Sequence, residues 1–98
     1  MKERAYHENV NIKNELHLRE LISELPPFCK QFFIGIEPTT SSRTRIAYAY
    51  DLACFFDYLH ETNPICKRKK VTEIPLSILD SLSPLDIEEY LFYLKYCS

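Results

Sequence analysis

The chain has 98 residues, 46% of them hydrophobic, with a formal net charge of −2. That length supports one small domain with its own core and excludes a two-domain enzyme, and the apolar content excludes disorder across most of it. A single glycine excludes glycine-rich phosphate loops, no apolar run reaches membrane-spanning length, and the charged start Met1–Asn9 lacks the apolar region of an export signal.

Residues 1–10 read as a flexible polar N-terminus, and 11–98 as a single helical domain. A first helix is predicted from Asn11 to Glu24, with Ile12, Leu16, Leu18, Leu21, Ile22 and Leu25 as its apolar stripe and Leu18 somewhat off centre. Pro26-Pro27 breaks the chain and starts a second helix. Phe28, Phe32 and Phe33 give that helix its buried edge, and Gly35 is its expected terminator.

After a connector over Ile36–Thr40, Ser41 or Ser42 can cap a long helix reaching about His60, ended by Asn63-Pro64. At 100° per residue Tyr48, Leu52, Phe55, Phe56 and Leu59 share one apolar arc. Ile46, Tyr50 and Cys54 lie on roughly the opposite side, so cover from two directions is expected, with the N-terminal helix as the second cover. Thr62–Thr72 reads as a loop, and Pro75–Leu82 as a short helical turn. Ser83-Pro84-Leu85-Asp86 is a helix start, with a cap, a first-turn proline and an acid near the positive helix end. Ile87, Tyr90, Leu91 and Leu94 then form an inner stripe. The expected fold is all-α, a small bundle of four main helices plus one short helical turn.

Cys29, Cys54, Cys66 and Cys97 form no C-x-x-C pair, and His7, His17 and His60 share no ligand-like spacing with them. No metal or other cofactor is therefore expected, and the cysteines fit buried apolar positions in a reducing cytoplasm. Positive charge concentrates at Arg43 with Arg45 and in the run Lys67-Arg68-Lys69-Lys70.

The order Ser41, Thr44, Tyr48, Asp51-Leu52, Phe55 and Leu59 carries a resemblance, together with Val71-Thr72-Glu73-Ile74 and with Leu82-Ser83-Pro84-Leu85-Asp86-Ile87 ahead of Tyr90-Leu91. Over roughly Leu25 to Leu94 the chain resembles the SAM-like core-binding domain on the N-terminal side of tyrosine recombinases, the phage-integrase family. The resemblance implies one half of a clamp around duplex DNA in a bacterial or phage-encoded protein of a mobile element, with sister recombinase protomers as further partners. Neither a membrane nor a small-molecule substrate is expected. Arg43, Thr44 and Arg45 at the entrance of the long helix match the DNA-facing surface; Lys67, Arg68, Lys69 and Lys70 are added from charge alone. Arg45 falls near the inner arc, so its stem also fits a role in covering the core.

The family's catalytic arginines, H-x-x-R cluster and tyrosine nucleophile have no counterpart in this sequence, so no catalysis is expected of it. Tyr90, Tyr93 and Tyr96 read as packing or surface residues. The family's domain continues with one more helix; without it Phe92, Tyr93 and Tyr96 are expected to be partly uncovered and to favour self-association. The alternative from a different class is a helical protein–protein interaction module without a nucleic-acid role, which the near-neutral charge and excess apolar helix faces suit. A helix-turn-helix regulator ranks third and a free-standing enzyme last.

Overall fold

A computed structural model describes the backbone from Lys2 to Cys97 and side chains from Asn9 to Tyr96. Five α-helices follow in order: α1 (Lys2–Ser23), α2 (Cys29–Ile36), α3 (Ser42–Thr62), α4 (Ser77–Ser81) and α5 (Pro84–Cys97), with no strand among the described residues. The expected all-α bundle of four main helices and one short turn is what forms. Short 3-10 turns at Glu37–Thr39, Cys66–Arg68 and Val71–Glu73 shape the connections.

α1 begins at Lys2 rather than near Asn11. Nothing between Lys2 and Asn11 breaks a helix: no proline or glycine occurs there, and Lys, Glu, Arg and Ala all favour helical backbone. Side-chain contacts of α1 with α3 progress in the same chain sense, from Asn14 on Ser42 through Glu15 on Arg45 to His17 on Tyr50. The two helices therefore run parallel. α2 returns against α3, with Phe28 at its start set against Phe56 and Phe32 against Tyr48. An up–down–up arrangement results, with Leu18, Leu25, Phe33, Ala49, Phe56 and Leu59 buried at its centre.

Two expected apolar stripes are rotated from their predicted positions. Leu18 is buried at the centre of the α1 contact, whereas Ile12 and Leu16 are 57% and 55% exposed. Asn14 and Glu15, both half-buried, take the places beside it because each bonds to a polar partner on α3, while exposed His17 meets Tyr50 at the rim of the contact. On α3 the buried side runs through Ser42, Arg45, Ala49, Phe56 and Leu59, leaving Tyr48 41% exposed at the edge of the expected arc. A hydrophobicity pattern does not register polar groups that are satisfied inside.

Gly35 does not terminate α2; it lies within it and has no positive φ. The α-helix stops because Pro38 has no N–H to give the carbonyl of Ile34. The orphaned carbonyl of Ile36 instead accepts from the Thr40 hydroxyl at 2.6 Å and the Thr39 hydroxyl at 3.3 Å.

α5 meets α3 through aromatic side chains. Tyr90 packs on Phe55 and Tyr58 with ring centroids 4.9 and 5.1 Å apart, and Tyr93 also meets Tyr58. Its start is closed as predicted: the Asp86 N–H donates to Ser83 Oγ, while the Ser83 N–H and hydroxyl donate to the Asp86 carboxylate. The chain's radius of gyration is 15.9 Å, above the roughly 13 Å of a compact domain of this size, because the long helices outreach the shared core.

Candidate nucleic-acid interface

The entrance of α3 is built by Ser41. Its Oγ accepts the Thr44 N–H at 3.2 Å and its hydroxyl donates to Thr44 Oγ1 at 3.0 Å. Ser42, the other capping candidate, is buried and accepts from Asn14 Nδ2. Arg43 projects into solvent beside this cap, and Thr44 is half-buried.

Arg45 is not on that surface. It is 5% exposed, and its guanidinium donates to the carbonyls of Glu37 (3.1 Å) and Thr40 (2.6 Å), to Thr40 Oγ1 and to Glu15 Oε1 (2.7 Å). These contacts close the end of the α2–α3 connector and tie it to α1. A guanidinium so engaged has no donor fork to offer a phosphate, so Arg45 leaves the candidate set. Sequence alone places it only near the inner arc; its partner Glu15, on another helix, has no signal in the local pattern.

Lys67, Arg68, Lys69 and Lys70 are all exposed. Between fully buried Cys66 and buried Ile74, they are displayed on a fixed segment rather than a free loop. Asn63 shapes its start, its Oδ1 accepting the N–H groups of Ile65 (2.9 Å) and Cys66 (3.3 Å). The backbone amides of the run are already used: Lys67 donates to Asn63 O, Arg68 to Ile65 O, Lys69 to Cys66 O and Lys70 to the Glu73 carboxylate. An anion would meet side chains there, not a nest of amides.

Arg43 and the basic run lie at opposite ends of α3, about 30 Å apart along its axis. Exposed Asp51, Asp57 and Glu61 intervene on that helix. The exposed face of α3 between the two basic spots is therefore acidic, and phosphates are favoured only at its ends.

The cysteines are set up for packing. Burial pushes the Cys29 thiol up to about 11 and also raises Cys66, against an opposing pull from Lys69. Burial, then a hydrogen bond with Cys54, pushes Tyr90 up to about 12, the opposite of what a nucleophile needs. Among the described residues no three of His, Cys, Asp or Glu converge on a metal position; the side chains of His7 and Cys97 lie outside the described residues. No described helix is long and apolar enough to cross a membrane.

Compared with known proteins, the chain matches no family model, no curated relative and no solved structure.

Proposed function

We propose that this chain is a DNA-gripping domain of the core-binding type, positioning a duplex for strand exchange performed by a tyrosine-recombinase catalytic domain outside this sequence. The observation that carries the reading is the run Lys67–Lys70, four consecutive cations exposed on a segment anchored at both ends by buried side chains. Arg43 and Thr44 at the capped start of α3 supply a second phosphate contact. Binding through these residues follows the backbone and does not read bases. The acidic stretch between them confines the duplex to the ends of α3. Sister protomers are the further partners of this reading.

Fluorescence anisotropy with a mixed-sequence duplex at low and moderate salt tests it. Weak binding that falls steeply as salt rises, and that is lost in the Arg43→Glu, Lys69→Glu double variant, supports the phosphate clamp. Absence of binding at low salt overturns it for this chain.

One observation favours a second reading, a protein-interaction module: α5 exposes Leu85, Leu91, Phe92 and Tyr96 on surface that neighbouring helices leave uncovered. Retained partner binding in the same charge-reversed variant would separate that reading from the first.

A further inference from the structure

α5 is apolar on nearly every side, a pattern that requires cover from more than one direction. Tyr90 and Tyr93 are spent on α3. Leu85, Phe92 and Tyr96 share a second side, about 110° round the helix from the first, at spacings of seven and four residues, and are 62–63% exposed. The Phe92 and Tyr96 rings pack together at 4.5 Å, so this stripe is already ordered. Exposed Glu88 and Glu89 flank it on either side near its start, and Lys95 lies near its end.

The same chain offers a complementary receptor. Between α1 and α2 runs an open groove of about 700 Å³ with Leu18 and Ile22 in its floor. Arg19 on the α1 wall and Lys30 on the α2 wall are exposed, and Glu15 and Glu37 stand at one end. At 1.5 Å per residue, starting from the end where α1 passes into α2, Lys30 lies about 5 Å along the groove, Arg19 about 9 Å, and Glu15 and Glu37 about 15 Å. Along α5 from Leu85, Glu88 and Glu89 lie at about 5–6 Å, Lys95 at about 15 Å and Tyr96 at about 17 Å. Charges of opposite sign fall at matching heights, and the stripe is as long as the groove. In the reverse orientation Lys95 meets no carboxylate among the residues that line the groove.

We propose that the α5 stripe of one copy docks in the α1–α2 groove of a second copy, with Glu88 and Glu89 against Lys30 and Arg19 and Lys95 against Glu37. The contact is heterologous, since the stripe and the groove are different surfaces of each chain. It involves neither Arg43 nor Lys67–Lys70, so its failure is distinguishable from failure of the DNA reading.

Sedimentation of the full chain over the micromolar range, without DNA, tests the contact. Concentration-dependent association is expected, weakened at least about tenfold by Glu88→Lys with Glu89→Lys, and equally by Arg19→Glu with Lys30→Glu. All four positions are exposed, and circular dichroism confirms that each variant retains its helices. The decisive sample is an equimolar mixture of the two variants, in which the reversed α5 of one meets the reversed groove of the other. Mixed association recovered to within about threefold of the unaltered chain supports the docking. A monomer at every concentration, association indifferent to these charges, or a mixture no stronger than its components overturns it.

Discussion

The Arg45 guanidinium meets the Glu15 carboxylate at 2.7 Å, joining the start of α3 to the middle of α1 across 30 positions of sequence. The same side chain holds two carbonyls of the connector that follows α2. One buried cation thus fixes three elements at once, and both basic spots take their placement from the α3 it anchors.

Arg45→Ala is expected to destabilise the fold by about 2–4 kcal/mol, because it leaves the Glu37 and Thr40 carbonyls and the Glu15 carboxylate without their donor. Glu15→Gln is expected to cost only about 1 kcal/mol, since the carboxylate is partly solvated. Urea unfolding followed by circular dichroism measures both. A near-neutral Arg45→Ala would show that the buried ion pair adds nothing to stability.

Gly35→Ala is expected to stabilise by about 0.5–1 kcal/mol. Gly35 is helical and exposed, and an added Cβ meets nothing within 4 Å. A glycine serving as a left-handed terminator would show the opposite sign, so a thermal melt of this one variant decides between the two roles.

Each neutralisation within Lys67–Lys70 is expected to lower the slope of log affinity against log salt by about one, with little dependence on duplex sequence. Arg45→Ala, measured where it remains folded, is expected to leave that slope unchanged. Anisotropy titrations at three salt concentrations provide the comparison.

Stability is expected to fall as pH rises from about 9 to about 12. Cys29 and Tyr90 hold their protons in the folded chain up to about 11 and about 12, whereas the unfolded chain releases them near 9 and 10. The native state then binds more protons than the unfolded state, so the free energy of unfolding drops across that interval and is unaffected below it. Cys29→Ala should flatten the lower part of the decline and Tyr90→Phe the upper part, read from urea midpoints at successive pH values.

The sequence by itself determined the helices and most of their ends. Pro26-Pro27, Asn63-Pro64 and Ser83-Pro84 punctuate the backbone through local sterics and missing N–H groups, and the Ser83–Asp86 capping pair forms as those residues dictate. Local chemistry is legible locally. The side each helix buries was decided only in three dimensions. Asn14, Glu15 and Arg45 face the α1–α3 contact because their partners stand on the other helix, and that pairing turns Ile12, Leu16 and Tyr48 outward from where apolar periodicity puts them. The candidate interface divides in the same way. Lys67–Lys70 is visible as a charge run, but its anchoring by Cys66 and Ile74 and the withdrawal of Arg45 into the interior depend on contacts between segments distant in sequence. A buried polar group is stable only with its partner in place, and a linear pattern does not contain that partner.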